Sequence, residues 1–276
     1  MKIWESPLRS VRVAAVMAAA LAALAFANSL RNEFAYDDLH IISENPGIQS
    51  LEALPGALAD PYWPGPYGKQ LGLWRPSTTA ILAMQYAVAG ENPVLYHVVN
   101  VMAHAAVSAL VVLLLAELMS LSAAFVGGLV FAVHPVHVEA VANVIGIAEV
   151  FPAVAFLLAC LVHVRGGRRT SWARAVGIAM LYAVAFGGKE SAVTLPGVIF
   201  LLDASRRRLG FGEVPAYVRD RWRLYLALGV VAGALLAVRV QVLGSVANPF
   251  GPLGADLLQE VPRIWTLAEV WSHYVR

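Results

Sequence analysis

Apolar runs that approach the length of a membrane span recur along most of this 276-residue chain. A helix needs about 20 apolar residues to cross the hydrocarbon core of a bilayer. Composition agrees, because 59% of the residues are hydrophobic and only 14% are charged, whereas roughly a quarter are charged in soluble domains. The sequence therefore predicts an all-α, polytopic transmembrane helical bundle of seven or eight spans. The predicted spans are 13–30, 95–118, 121–140, 147–164, 171–187, 191–203, 224–243 and one that begins near residue 264.

The first apolar run has two interpretations. Lys2, Arg9 and Arg12 precede it, as basic residues precede the apolar core of a secretory signal peptide. The run is too long for a typical signal peptide, and "ANSLRNEF" is a poor cleavage site. We therefore expect a retained helix.

Basic residues predict the orientation, because positive charge is retained on the cytoplasmic side of a membrane. They cluster before the first span, at 165–174 and at 206–223. A cytoplasmic N-terminus places all three clusters on one side, which carries little else. Residues 31–94 then form a first outer loop, provided that the apolar segment 76–90 lies on the membrane surface and does not cross it.

Polar and ionisable residues gather at the predicted outer ends of five segments. Such groups are costly in or beside hydrocarbon, so they mark functional sites by default. The candidates are Asp37, Asp38, Arg75, His97, Asn100, His104, His134, His137, Glu139, Glu149, Lys189 and Glu190. They define the predicted site.

Each candidate group also has an ordinary structural interpretation. Asp37 and Asp38 can cap a helix in a solvated loop, and Arg75 can anchor the chain at the interface. Interhelical hydrogen bonding explains the polar residues of 97–104 equally well. The His and Glu spacing of 134–139 matches no standard zinc pattern, so no metal ligand is assigned, and a divalent metal requirement stays open.

The residue types together suit one kind of chemistry. A carboxylate at the water edge accepts a proton from a hydroxyl, and a nearby lysine or arginine stabilises a phosphate leaving group. An apolar wall between helices can hold a lipid tail. These features favour sugar transfer from a polyprenyl-phosphate carrier, with inversion at the anomeric carbon. The alternatives are a transporter or flippase, and a non-catalytic membrane scaffold. No nucleic-acid partner is predicted, because topology explains the basic loops.

Several motifs carry a family resemblance. "FAYDDLHIISENPGIQSL" resembles the opening of the membrane region of the transmembrane and tetratricopeptide repeat-containing proteins. Later motifs of that family are similar, in the same order, to "WRPST", "NPVLYHVVNVMAHAAVSALV", "VFAVHPVHVEAVANVIGIAEVF", "KES" and "NPF". The resemblance covers most of residues 26–276.

The resemblance implies a GT-C glycosyltransferase related to protein O-mannosyltransferases. Such an enzyme moves a mannose-like sugar from a polyprenyl or dolichyl phosphate to a protein Ser or Thr hydroxyl. It implies that Asp37 and Asp38 are the catalytic pair, with Asp37 as the base, and that 49–60 and 76–90 are surface helices. The other ten candidates would bind the sugar and phosphate. The site would face the periplasm or lumen, with a bacterial inner membrane favoured.

Two departures from the family pattern accompany the resemblance. The family usually has arginine where Ile147 stands, and that arginine is one expected phosphate contact of the family. The chain also stops at Arg276 within a predicted span. We therefore expect residues 1–276 to be a partial GT-C membrane domain that lacks the C-terminal remainder and the tetratricopeptide repeats. Activity of the chain by itself is then in doubt.

Overall fold

Helices and connecting turns make up the part of the protein that the computed structural model describes, residues 7–65, 68–167, 169–244 and 272. No strand occurs in these residues. The α-helices are α1 (Pro7–Ala25), α2 (Leu54–Ala57), α3 (Gly68–Leu71), α4 (Pro76–Ala89), α5 (Pro93–Leu115), α6 (Leu121–Val133), α7 (Val138–Ala142), α8 (Ile147–Val164), α9 (Trp172–Gly188), α10 (Leu195–Arg207), α11 (Val214–Asp220) and α12 (Trp222–Leu243). Five 3₁₀ helices and a π-helix join them, at Ala27–Arg31, Leu39–Ser43 (the π-helix), Pro135–His137, Val144–Gly146, Glu190–Thr194 and Phe211–Glu213.

The predicted all-α membrane bundle is confirmed, and α8 has the predicted bounds. By length and composition, α5, Val144–Val164 and α12 can each cross a membrane, and α6 with Pro135–Ala142 would be a fourth span bent by 47°. The apolar parts of α1 and α9 are shorter, and α10 has only 13 residues. The prediction of seven or eight spans counted these three as well. The span near 264 and the "NPF" motif lie outside the described residues.

Proline breaks the predicted span 121–140. Pro135 has no backbone N–H, and it favours an extended conformation in the residue before it. His134 accordingly leaves the helix at φ −64° and ψ 129°, and α6 ends at Val133. The chain then resumes as the short α7. The break places His134, His137 and Glu139 in an irregular segment at the end of the bundle.

Helix α5 lies at the centre of the bundle and packs against α1, α6 and α8, while α9 connects α8 to α12. The α1 face consists of Ala14, Ala15, Ala18 and Ala22, all buried. Small residues let helices approach closely in lipid, where apolar burial gives little driving force between them. The same close approach appears at Gly128 of α6, where a methyl group would overlap Val112 of α5.

The connecting segments gather at two opposite ends of the bundle. We call one the loop end; it contains residues 26–65, 68–92, 134–146 and 188–194. Contacts across it include Asn32 to Ala142 and Thr78 to Gly188. The other is the basic end, with residues 116–120, 165–167, 169–171 and 204–221. There Arg165 pairs with Glu117 at 2.8 Å. The connecting segments thus alternate between the two ends, as predicted from the positions of the basic residues.

Helix α4 does not cross the bundle. Its first turn lies at the loop end, because the Thr78 hydroxyl donates a 2.9 Å hydrogen bond to the carbonyl of Gly188. Its last turn is three residues from the start of α5, which also begins at the loop end. Fourteen helical residues span about 21 Å, less than the hydrocarbon core. The predicted surface helix over 49–60 is shorter than expected and reduces to the single turn α2.

Candidate active site at the loop end

Two adjoining cavities open at the loop end. The first, which we call the polar cavity, has a volume of about 500 Å³. It lies between α5, α6, α7 and α8, and its polar lining residues are Arg75, His104, His137, Glu139, Asn143 and Glu149. The second, the apolar cavity, has a volume of about 380 Å³ and lies between α5, α8 and residues 189–194. Both are lined by Val107, Phe131, Glu149 and Ala153, so together they form one cleft with a polar end and a more apolar end.

Arg75 supplies a cation to the polar cavity. Its Nη2 lies 3.1 Å from Oε2 of Glu190, and its guanidinium lies 5.3 Å from the centre of the Tyr62 ring. Glu190 also faces Arg239 of α12, with Nη1 of the arginine 3.7 Å from Oε1. Burial raises the pKa of the Tyr62 phenol, although Arg75 opposes the shift, so this hydroxyl stays neutral. The carboxylate of Glu190 is thus shared between two arginines.

Lys189 stands where the two cavities meet. Its ammonium group forms an ion pair with the carboxylate of Glu149, which lines both cavities. Lys189 and Glu190 are adjacent in the sequence, but their ion-pair partners come from different elements. Lys189 ends α9 and pairs with α8, whereas Glu190 turns to Arg75 in the first loop. Two cationic side chains therefore flank the cleft.

The two adjacent aspartates have different surroundings. Asp37 is exposed, whereas the Asp38 side chain is buried at 1% exposure. Oδ2 of Asp38 accepts a hydrogen bond from Ala35 N at 3.0 Å, and Oδ1 accepts one from Ile145 N at 2.9 Å. Burial raises the pKa of Asp38, although backbone N–H donors oppose the shift. Asp38 therefore ties the first loop to the 143–146 turn.

Asp37 is left free beside this connection. It lies in the turn that begins at Tyr36, which has a left-handed φ of 50° and is 87% exposed. Neither aspartate lines the polar or the apolar cavity, but Ile145, whose N–H binds Asp38, lines the polar cavity. The catalytic pair predicted from the resemblance is thus split between an exposed and a structural carboxylate.

The polar residues of α5 lie mostly in the helix interface. Asn100 donates two hydrogen bonds, to the carbonyls of Asn143 at 2.7 Å and Val144 at 3.0 Å. His97 is fully buried and does not line either cavity. His104 does line the polar cavity, and its Nε2 lies 3.1 Å from the carbonyl of Ala132. The interhelical alternative thus describes Asn100 well, and His104 stands at the boundary between interface and site.

The segment 134–139 divides in the same way. Nδ1 of His134 accepts the N–H of Val136 and so caps the 3₁₀ turn. His137 and Glu139 line the polar cavity, and the His137 ring lies 5.0 Å from that of His104. No group of three or more His, Cys, Asp or Glu side chains suited to a metal ion occurs within 7–65, 68–167 and 169–244.

Two residues at the site were not predicted. Arg239 stands near the end of the apolar helix α12 and is 6% exposed, a placement that by itself marks function. Tyr62 lies in the loop "DPYWPGPYG" and contacts Arg75 through its ring face. The signal for Arg239 was present in the sequence as a single charge within an apolar run.

Curated proteins of one family are similar to the chain. Tmtc1, a protein O-mannosyl-transferase of Drosophila melanogaster, is 34% identical over 178 residues, which are 63% of this chain and 21% of that protein. Human TMTC2, also a protein O-mannosyl-transferase by name, is 29% identical over 248 residues, or 84% of this chain and 30% of that protein. Mouse TMTC3 is 28% identical over 238 residues, or 79% and 26% respectively.

The chain is a relative of the TMTC proteins. The family resemblance predicted from its motifs is thereby confirmed. The chain spans less than a third of the length of each of these TMTC relatives, where the matched share is 21%, 30% and 26%. No family model matches the chain, and no solved structure matches it significantly.

Ile147 stands at the position where the resemblance predicted an arginine. It is fully buried in the apolar core of the loop end. Its neighbours Ala148 and Glu149 line the polar cavity instead. Arg75 and Lys189 are consequently the cations that flank the cleft within the described residues.

Proposed function

We propose that the chain is part of a glycosyltransferase that transfers a mannose-like sugar from a polyprenyl-phosphate carrier to a protein Ser or Thr hydroxyl. The names of the TMTC relatives support a protein O-mannosyl-transferase. The observation that carries the carrier assignment is the cleft itself. A phosphate and a polyprenyl chain need a polar end with a cation that continues into an apolar end; Arg75 lines the polar cavity, and most of the lining of the second cavity is apolar.

The apolar end suits the lipid tail. Its lining includes Val111 of α5 and Pro152, Phe156 and Leu157 of α8. Arg75 lines the polar cavity, and Lys189 lines the apolar cavity beside the shared Glu149. There the two cations would stabilise the negative charge of the departing phosphate. Arginine can bind phosphate with two parallel hydrogen bonds, whereas lysine acts as a point charge.

Asp37 is the proposed general base. In the reaction, the acceptor hydroxyl oxygen forms a bond to the anomeric carbon while the bond from that carbon to the phosphate oxygen breaks. The hydroxyl proton passes to Asp37, and the carrier leaves as polyprenyl phosphate. Attack opposite the leaving group inverts the anomeric centre.

The proposed membrane placement follows the basic residues. The basic end would face the cytoplasm, and the loop end would face the periplasm or lumen. An acceptor protein on that side would reach the exposed Asp37 from water, while the carrier would enter from the lipid. A cysteine introduced at Asp60 should then react with a membrane-impermeant reagent only from the outer side.

The decisive experiment compares Asp37→Asn with the unchanged chain in the full-length gene product. Transfer of radiolabelled sugar from a panel of polyprenyl-phosphate sugars to a Ser- and Thr-containing peptide should fall by at least a hundredfold, the range for loss of a general base. Asp60→Asn is the matched control, since Asp60 is an exposed aspartate in the same loop. Undiminished transfer by Asp37→Asn would remove the base assignment.

The same preparations test the alternatives. A transporter or flippase would move labelled carrier across proteoliposomes without forming glycosylated peptide. A scaffold would do neither. Product formation that depends on Asp37 is expected only of the transferase.

A further inference from the structure

Two arginines share one carboxylate beside the polar cavity. Glu190 accepts from Arg75 on one side and faces Arg239 on the other. Arg239 is held in place separately, because its Nη2 donates a 2.7 Å hydrogen bond to the carbonyl of Gly72. Side-chain exposure is 13% for Arg75, 30% for Glu190 and 8% for Arg239, so the three groups are largely shielded from solvent. Their formal charges sum to +1.

Of these three charged groups, Arg75 is the one that presents the net positive charge to the polar cavity. Arg75 lines that cavity, whereas Glu190 and Arg239 do not. If Glu190 had no second cation, its charge would cancel that of Arg75, since a shielded carboxylate draws strongly on its nearest cation. Arg75 directs Nε and Nη2 at Glu190, so its Nη1 is the group that remains for an anion. With Arg239 present, the charge of Glu190 is shared, and Arg75 keeps a net positive charge toward the cavity.

We propose that Arg239 is a positioning residue that keeps Arg75 available for the phosphate of the donor by sharing Glu190. The inference rests on the proposed function, because it assigns the anion in the cleft as a lipid phosphate. Arg239 never touches the ligand in this arrangement. It acts through Glu190, and it reaches the first loop from α12 through the carbonyl of Gly72.

The arrangement makes a prediction that a merely structural arginine would not. Removing Arg239 should weaken phosphate binding, because the whole charge of Glu190 then cancels that of Arg75. Removing Glu190 as well should release Arg75 and restore binding. The two effects are therefore opposed, whereas two structural losses at one contact would add or leave binding weak.

The experiment titrates sugar-free polyprenyl phosphate onto the full chain and measures complex formation by native mass spectrometry. Arg239→Gln should bind about tenfold more weakly, the order of one charge-assisted hydrogen bond. Glu190→Gln combined with Arg239→Gln should return to within about threefold of the unchanged chain, a difference below 1 kcal/mol. Arg239→Lys, which keeps the charge, should lose less than Arg239→Gln.

Arg165→Gln is the matched control, since it removes one positive charge at the basic end and should leave binding unchanged. Thermal unfolding of every variant identifies those that fail to fold. An Arg239→Gln variant that is folded and binds normally would overturn the inference, and so would a double variant that is folded and stays weak. If the unchanged chain itself does not bind polyprenyl phosphate, the carrier assignment fails instead.

Discussion

The two ends of the bundle hold their charged residues in opposite ways. At the basic end, Asp203 is 3% exposed, and its Oδ2 contacts His163 at 3.0 Å, Tyr217 at 2.9 Å and Arg221 at 2.9 Å. Arg221 is equally buried and also reaches Thr170. We call these residues the Asp203 cluster. At the loop end, the charged groups that line the cleft, such as Arg75, Glu149 and Lys189, are partly exposed.

The contrast separates two uses of charge beside a membrane. The members of the Asp203 cluster contact one another and line neither of the two cavities. The cluster joins α8, α10, α11 and the start of α12, so it serves the fold. At the loop end, Arg75 and Lys189 line open volume, which is what a ligand requires. The sequence described the basic end as loops with little else, and this cluster was missed.

The largest effect is expected from opening the Asp203 cluster. Asp203→Ala leaves Arg221 and His163 buried without their shared acceptor, and breaking a buried pair in this way costs about 3–5 kcal/mol. The variant should lose most of its folded yield in detergent or unfold at a clearly lower temperature. Glu117→Ala is the control at the same end, because its partner Arg165 is 46% exposed and such pairs contribute about 1 kcal/mol or less. Equal losses in the two variants would contradict the division.

The next effect concerns Asp38, a carboxylate at the loop end that is buried as Asp203 is at the basic end. Asp38→Ala leaves the N–H groups of Ala35 and Ile145 without their acceptor, which costs about 1–3 kcal/mol for a buried donor. Cleavage by protease within residues 31–45 should therefore become faster. Asp37→Ala should leave cleavage unchanged, since that side chain is exposed. Identical protease sensitivity in both variants would place Asp38 among the ligand-facing groups.

A smaller effect on folding is expected from Lys189→Met. The pair with Glu149 is partly exposed, at 25% and 49%, so its loss should change stability by no more than about 1 kcal/mol. Binding of polyprenyl phosphate should nevertheless weaken about tenfold, the order of one charge-assisted hydrogen bond. A variant that unfolds while retaining its affinity would reverse the assignment of this end to ligand binding.

Local signals predicted the helices well. Apolar length located α8 without error, and Pro135 marks the break after α6. The grouping of 31–94, 134–146 and 188–194 at one end followed from the positions of basic residues. Each of these features depends on a stretch of sequence read by itself, or on the alternation of such stretches across a membrane.

Pairings between distant elements could not be predicted in the same way. The role of Asp38 depends on the N–H of Ile145, which lies 107 residues away. Lys189 pairs with Glu149 and not with the adjacent Glu190, because helix packing brings α8 beside the end of α9. The Asp203 cluster combines four segments, and its geometry exists only after α8, α10 and α12 have packed. Sequence identified the residue types at the site, but packing decided which of them face the cleft.

The smallest expected effect is a pH dependence that again sets Asp38 apart. Burial raises the pKa of Asp38 above its ordinary value of 3.8, so the folded protein holds this proton more tightly than the unfolded chain does. The resulting stabilisation is complete below that value and is lost as the pH rises through the folded pKa. Thermal unfolding from pH 4 upward should therefore show the unchanged chain losing stability relative to Asp38→Asn, whose side chain does not titrate. A gap that widens in favour of the unchanged chain as pH rises would mean that the amide donors outweigh burial, and that Asp38 is held as a carboxylate.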